Sequence, residues 1–287
     1  MSEPDPGPTP LAPTEAPTVA VLTIGDEVLQ GDVLNTNAHW LFRQCRARGA
    51  AVVHEATVRD REGEIGAELR HALAYAPRLI LLCGGLGPTD DDRTAAAVAQ
   101  ALGLPLELDP PAREMVASFY VRMQERGLVA NGALTAPREK MARLPRGSVA
   151  LENRIGAAPG VWISRPSVEI VLLPGVPEEM KDIVEHSLAP RLARWLGAGG
   201  FDEVERFAAT TDESVLAPIV GLVAREHPDV YVKSRASAFG AAAAFRITLS
   251  SRAASLAEAR ERVARATAAL ERELARRGIA LVGPLPT

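Results

Sequence analysis

The sequence is poor in cysteine: its 287 residues include only Cys45 and Cys83, which stand too far apart for a metal-binding pair. Two isolated cysteines exclude a disulfide framework and favour a reducing compartment, so we expect a cytoplasmic protein. An excess of basic residues is also missing, since 32 Lys and Arg stand against 36 Asp and Glu. That balance argues against a protein held on nucleic acid or on an anionic membrane. No run approaches the roughly 20 apolar residues that span a bilayer, so no membrane segment is expected.

Several short catalytic motifs are missing too. The glycine-rich run Gly84–Gly87 has neither the lysine of a Walker loop nor the glycine spacing of a Rossmann fingerprint. Ser164, Ser167 and Ser214 do not lie in the Gly-x-Ser-x-Gly setting of a nucleophile elbow. The five histidines show no spacing typical of a zinc site, so zinc is not expected.

The first two thirds of the chain alternate short apolar runs with amphipathic helices. The apolar runs are Val19–Ile24, Ala51–Val58, Leu79–Cys83 and Val168–Leu173. Strands that are apolar throughout are buried on both faces, which is typical of parallel sheets with right-handed helical crossovers. We therefore predict an α/β domain over residues 18–197, with a mostly parallel sheet and helices on both faces. Residues 1–17 hold six prolines with acids between them and are predicted to be a disordered tail.

The pattern changes after the glycines between residues 197 and 200. Residues 203–287 then follow the order β-α-β-β-α-β, and the strand Phe245–Ser250 alternates apolar and polar side chains. This order predicts a second, smaller α+β domain of two layers.

Three loops of unusual composition follow the predicted strands: Gly25–Glu27, Gly84–Asp92 and Pro174–Pro177. Loops at the carboxyl ends of parallel strands share one edge of the sheet, so we expect these three to meet there. Glycines let the backbone approach a phosphate, and a helix predicted to open after Asp90 would direct N–H groups toward it.

The acids of these loops have two possible roles. Asp90, Asp91 and Asp92 could serve only to cap the following helix. Two acids suffice for capping, however, and Asp26 and Glu27 are expected at the same edge. Several carboxylates beside a polyphosphate require a cation between them, and oxygen ligands suit Mg²⁺ or a similar ion. The loops therefore predict a metal-assisted phosphoanhydride site.

Five motifs occur in order between residues 18 and 196: Ile24–Gly31, Asn35–Asn37, Gly84–Thr89 with Asp91, Asp92 and Thr94, Gly156–Gly160, and Pro174–Pro177 with Met180. Together they resemble the N-terminal part of the competence/damage-inducible protein CinA family. The first domain of that family is similar to the molybdopterin-binding domains of molybdopterin adenylyltransferases and gephyrin, which are MoaB/Mog-like. Residues 203–287 resemble the KH-like middle domain of CinA proteins. They lack a Gly-x-x-Gly clamp, so RNA binding is not expected.

The resemblance implies a cytoplasmic, homo-oligomeric protein that hydrolyses the pyrophosphate of ADP-ribose or a related dinucleotide with Mg²⁺, Mn²⁺ or Co²⁺. No match to the C-terminal nicotinamide-mononucleotide deamidase domain of many CinA proteins is found, so that activity is not expected. The predicted catalytic residues are Asp92, Asp26 and Glu27, and the predicted metal ligands are Asp92, Asp91 and Asp26. The predicted substrate-binding residues are Gly25, Asn35, Asn37, Gly84, Gly85, Gly87, Thr89, Thr94, Pro174 and Gly175.

Two other functions stay open at this point. One is transfer of an adenylyl group from ATP to molybdopterin by the same loops. The other is a non-catalytic module that binds a nucleotide or a pterin. In every case the partner is a small molecule rather than a nucleic acid or a membrane.

Overall fold

The computed structural model describes residues 16–196, 200–236 and 244–283, which belong to two compact units. The first unit contains Pro17–Leu196, and the second contains the described residues from 200 onward. The predicted tail lies outside the described residues apart from its last two. Pro17 is predicted to belong to the tail, but in the structure it is buried and directly precedes the first strand. Its carbonyl oxygen accepts a hydrogen bond from the Ala51 amide.

The first unit alternates strands and helices as predicted, with extra elements in the long stretch between residues 103 and 168. In chain order its elements are β1 (Thr18–Ile24), α1 (Asp26–Leu29), α2 (Thr36–Ala47), β2 (Ala51–Val58), α3 (Glu62–Ala74), β3 (Leu79–Cys83), α4 (Thr94–Ala101), β4 (Leu106–Leu108), α5 (Pro110–Glu125), α6 (Ala136–Lys140), β5 (Arg143–Pro145), β6 (Val149–Leu151), β7 (Gly160–Ser164), β8 (Glu169–Leu173), α7 (Pro177–Asp182), a π-helical segment (Ile183–Leu188) and α8 (Ala189–Trp195).

Six strands form one sheet in the order β2-β1-β3-β8-β7-β6. The four strands from β2 to β8 are parallel, whereas β7 and β6 are antiparallel to their neighbours. The prediction of a mostly parallel sheet is therefore confirmed. β4 and β5 form a separate antiparallel pair.

The central strands β1, β3 and β8 are buried on both faces, and alternate side chains of each of them enter two different cores. Leu22, Ile80 and Leu172 pack on one face with side chains that include Leu69 and Val116. Their strand neighbours pack on the other face with helices α2, α7 and α8; this second core includes Val21, Leu81, Leu173, Leu41, Met180 and Leu192. Because β3 and β8 contribute to both cores, almost every position in them is apolar.

Two helices start later than the sequence predicts. α3 begins at Glu62 rather than at Asp60, because the Asp60 carboxylate accepts a hydrogen bond from the Asp26 amide instead. α4 begins at Thr94 rather than after Asp90, because Asp92 accepts hydrogen bonds from Thr89. The residue before α4 is Arg93, and no side chain caps the helix. The capping role considered for the three aspartates is thus not what the structure shows.

The second unit has the predicted order of elements: β9 (Gly200–Ala208), α9 (Glu213–Glu226), β10 (Tyr231–Ala236), β11 (Phe245–Ala253), α10 (Leu256–Arg276) and β12 (Leu281–Val282). Its sheet is antiparallel, in the order β10-β11-β9-β12. The apolar side of β11 packs against both helices, through residues that include Ile247, Leu249, Ile219 and Leu270. Within the described ranges no helix has the length and hydrophobicity that crossing a bilayer requires.

Candidate functional site

The three predicted loops line one cleft at the carboxyl ends of the parallel strands. The cleft has a volume of about 550 Å³. Gly25 and Glu27 reach it from β1, the segment Gly84–Pro88 with Asp91 and Asp92 from β3, and Pro174–Pro177 from β8. The meeting of these loops follows from the parallel order of the sheet, and the structure confirms it.

Two glycines allow the loops to approach one another. Gly84 has a φ angle of 114°, and a Cβ there would collide with the Ile24 carbonyl oxygen. At Gly87 a Cβ would lie 2.5 Å from the Asp92 carboxylate. The first glycine brings the ends of β1 and β3 together, and the second leaves room for an acid in the cleft.

Asp92 is held in place by its own loop. Its Oδ2 accepts hydrogen bonds from the Thr89 amide at 2.9 Å and from the Thr89 hydroxyl at 2.6 Å. The Nζ of Lys140 in turn donates to the Thr89 carbonyl. Thr89 therefore orients the acid instead of lining the cleft, and Lys140 brings a positive charge to the same loop. Sequence reasoning missed Lys140, which comes from the helix α6 that it did not predict.

Asp60 is a second cleft acid that sequence reasoning did not assign to the site. Its Oδ2 accepts a hydrogen bond from the Asp26 amide at 3.0 Å. Burial raises the pKa of Asp60, and the negative charges of Glu27, Asp26 and Asp91 raise it further against the lowering effect of that hydrogen bond. Asp60 follows β2, whose end lies at the same edge of the sheet, so its position was a usable signal.

Glu179, in the first turn of α7, is another residue at this site that the sequence analysis did not predict. Its Oε2 accepts a hydrogen bond from Nδ2 of the buried Asn153 at 2.7 Å. Burial raises the pKa of Glu179, and the Asn153 bond partly opposes this effect. A Cβ at Gly156 would collide with the Glu179 carboxylate, so the Gly156–Gly160 motif makes room for this acid.

Several predicted substrate-binding side chains support the cleft from beneath. Asn35 caps α2 by accepting from the Ala38 amide. Asn37 Nδ2 donates to the Gly175 carbonyl at 2.7 Å and contacts Cys83 Sγ at 3.3 Å. The Thr94 hydroxyl is fully buried and donates to the Gly84 carbonyl at 2.8 Å. These three side chains fix loop positions and are not among the residues that line the cleft.

The predicted metal ligands do not form a ready-made cage. Asp91 and Asp92 line the cleft, but Asp26 does not; its backbone amide donates to Asp60, which does line the cleft. In the described part of the chain, one group of three ligating side chains lies close enough together to hold an ion, and it contains none of these aspartates. A cation in the cleft therefore needs oxygen atoms of its substrate as further ligands.

One wall of the cleft is apolar. It is formed by Leu86, Tyr120, Met141, Ala157, Ala158 and Val176. The Arg138 guanidinium stacks 3.8 Å from the Tyr120 ring centroid, which fixes the orientation of that ring. The cleft thus combines an acidic rim with a surface that suits a flat ring.

Comparisons with known proteins agree with this architecture. A family model described as a probable molybdopterin binding domain matches residues 20–194. A protein of Aeropyrum pernix is 41% identical over 271 residues, which cover 94% of this chain and 96% of that protein. A protein of Pyrococcus furiosus is 38% identical over 220 residues, which cover 77% of this chain and 85% of that protein.

A solved structure, described as the protein CinA with unknown function from Thermoplasma acidophilum, is 34% identical with a TM-score of 0.53. The match covers 59% of this chain and 95% of that structure. The chain belongs to the probable molybdopterin binding domain family, and it is a CinA-like member of that family.

Proposed function

We propose that the protein is a metal-dependent pyrophosphatase that hydrolyses ADP-ribose or a related nucleotide diphosphate. The observation that carries this proposal is the set of carboxylates around one cleft: Glu27, Asp60, Asp91, Asp92 and Glu179. Capping or solvation of loops does not explain acids drawn from four different strand ends into a single cavity. The cleft volume of about 550 Å³ falls within the range of small-molecule sites.

The acidic rim repels a diphosphate unless a cation lies between them. Mg²⁺ and similar ions are commonly held by one or two carboxylates together with substrate phosphates, which suits a cleft without a complete cage of protein ligands. Asp91 and Asp92 are the residues that would hold the ion, because they line the cleft and Asp26 does not. When bound, the ion neutralises the diphosphate and lowers the pKa of a coordinated water.

The other groups of the cleft act on the substrate and on protons. The glycine loops present backbone close to the phosphates, and Lys140 adds a positive charge to the Asp92 loop. Asp60 and Glu179 both have a raised pKa, and a carboxylate of this kind accepts a proton from water more readily than an ordinary one. The apolar wall at Tyr120 and Met141 receives the base.

The decisive experiment compares two aspartates of one loop. Purified protein is incubated with a panel of dinucleotides and Mg²⁺, Mn²⁺ or Co²⁺, and released AMP is measured. Asp92→Asn should lower kcat by about 100-fold or more, because it removes a charge at the cation. Asp90→Asn makes the same change at an exposed position that does not line the cleft, and it should retain activity. Equal hydrolysis by the wild type and Asp92→Asn refutes the mechanism.

A second candidate is adenylyl transfer from ATP to molybdopterin, which the family match favours. The apolar wall would then receive the pterin ring. Incubation with ATP and molybdopterin distinguishes the two reactions, since only this one yields adenylated pterin. Tight nucleotide binding without turnover in all three metals would instead indicate a non-catalytic binding module.

A further inference from the structure

Two histidines and a glutamate come together where helix α3 packs on strand β2. His54 lies in the middle of β2, and Glu68 and His71 are three residues apart on α3. One ligand atom from each lies within 4.8 Å of the others. His54 Nε2 and Glu68 Oε1 are 2.7 Å apart. None of the three residues lines the cleft.

The aromatic rings of this cluster are held mainly by one another. The His54 ring stacks on Tyr75 at a centroid distance of 4.7 Å and meets the His71 ring edge-on at 5.1 Å. Tyr75 also contacts His71 edge-on. In the described part of the chain His71 makes ring contacts but no hydrogen bond or ion pair, so its nitrogens are free to bind a ligand.

We propose that His54, Glu68 and His71 form a binding site for a divalent transition metal of the zinc class, separate from the cation of the cleft. Two imidazoles and one carboxylate are a common ligand set for such ions, with water in the remaining position. Tetrahedral coordination with bond lengths near 2.0–2.1 Å places ligand atoms about 3.3 Å apart. Small side-chain rotations therefore suffice: the His54–Glu68 pair opens slightly, and the exposed His71 side chain closes in.

Binding through His54 Nε2 requires the tautomer that carries its ring proton on Nδ1, because a ring nitrogen that ligates a metal has no proton. The Glu68 carboxylate offsets one of the two positive charges. The ion would join β2, which is one of the two edge strands of the sheet, to α3, so binding should also raise the melting temperature.

The sequence did not suggest this site because its ligands are not spaced as in a short metal motif. Glu68 and His71 form a helical i, i+3 pair, but His54 joins them only through the packing of the helix on the strand. The expectation from the histidine spacing that zinc is not bound stays a prediction, and the proposal departs from it at this cluster, which places His54 and His71 beside Glu68.

The test follows individual histidine rings. The full chain is titrated with Zn²⁺ while ¹H–¹⁵N ring correlations are recorded, and Co²⁺ absorption gives the affinity. We expect the His54 and His71 signals to shift together at one equivalent, whereas those of His39, an exposed histidine on α2, stay unchanged. His71→Ala should weaken Co²⁺ binding at least about 100-fold, and His39→Ala should not change it.

A second variant separates this site from the catalytic proposal. Asp92→Asn should leave the zinc-induced shifts of His54 and His71 intact, whatever its effect on hydrolysis. Because His71 is exposed, His71→Ala is expected to fold, and circular dichroism checks this. Unshifted His54 and His71 signals at millimolar Zn²⁺, or equal Co²⁺ affinity in the wild type and His71→Ala, overturn the proposal.

Discussion

Asn153 is the side chain on which the loop beside Glu179 depends. Its Nδ2 donates to the Ala158 carbonyl at 2.8 Å and to Glu179 Oε2 at 2.7 Å. Its Oδ1 accepts from the Ile155 amide at 3.2 Å and from the Gly156 amide at 2.8 Å. Both amide protons and the carbonyl oxygen are used, and the residue is buried. The perturbation of interest is therefore Asn153→Ala, which removes all four bonds at once.

The magnitude follows from the partners. Three of the bonds join backbone groups and contribute about 1 kcal/mol each, and the bond to a carboxylate contributes about 2 kcal/mol. Since water reaches part of the cleft, we expect Asn153→Ala to lower the free energy of unfolding by about 3–5 kcal/mol. For a unit of this size the melting temperature should fall by about 10 °C.

The assay uses tryptophan fluorescence during urea unfolding. All three tryptophans, Trp40, Trp162 and Trp195, lie in the first unit, so their signal reports that unit alone. Asn131→Ala is the matched control, because Asn131 is exposed and its side chain accepts one local bond from the Ala133 amide. It should cost no more than about 1 kcal/mol. Equal urea midpoints for Asn153→Ala and Asn131→Ala would refute the reasoning.

The Asn153→Asp variant is a second test of the contact between residue 153 and Glu179. It keeps the acceptor for Ile155 and Gly156 but places a carboxylate against Glu179. The two negative charges raise each other's pKa, so the folded state takes up protons more readily than the unfolded state. This variant should gain stability relative to Asn153→Ala as the pH falls. Parallel pH profiles for the two variants would show that the residues are not in contact.

Two further predictions concern buried titratable groups. Burial raises the pKa of both Cys45 and Cys83 to about 12, so neither thiol should react with a thiol reagent at pH 8 until the protein unfolds; rapid labelling of the native protein contradicts this. Burial also raises the pKa of Glu169 above the ordinary glutamate value of 4.5, although hydrogen bonds from Trp162 and Ser164 oppose this effect. The contribution of Glu169 to stability therefore falls as the pH rises above 4.5. Glu169→Gln should therefore gain stability relative to the wild type between pH 4.5 and pH 7, as measured by urea midpoints, and a constant difference over that range contradicts the assignment.

The strands at the centre of the sheet could be predicted because a strand that is buried on both faces is apolar at almost every position. The predicted bounds of β3 equal the observed ones, and the predicted start of β8 is one residue early. Both strands are runs in which almost every side chain is apolar. The parallel order then places the loops after β1, β3 and β8 at one edge. The same rule applied to β2 places Asp60 at this edge, although the helical pattern predicts Asp60 as the start of α3.

The rest of the site depends on tertiary packing, which cannot be predicted from a local sequence pattern. Tyr120 lines the cleft from α5, and Lys140 of α6 donates to the Thr89 carbonyl of the neighbouring loop; both helices lie in the long connection between β3 and β8. Asn37 and Thr94 are predicted to bind the substrate, but in the structure their side chains bond to backbone carbonyls of the loops and do not line the cleft. Whether a polar side chain faces a ligand or supports a loop is decided by a few ångströms of tertiary placement, which composition and spacing do not determine.

The bonds that Asn37 and Cys83 make beneath the Pro174–Gly175 turn have a consequence for ligand affinity. The floor of the cavity is already ordered before anything enters it, so binding there requires little loss of main-chain entropy. Differences in affinity between related small molecules should therefore reflect desolvation of the acids and the fit of the ring, rather than the ordering of a flexible loop.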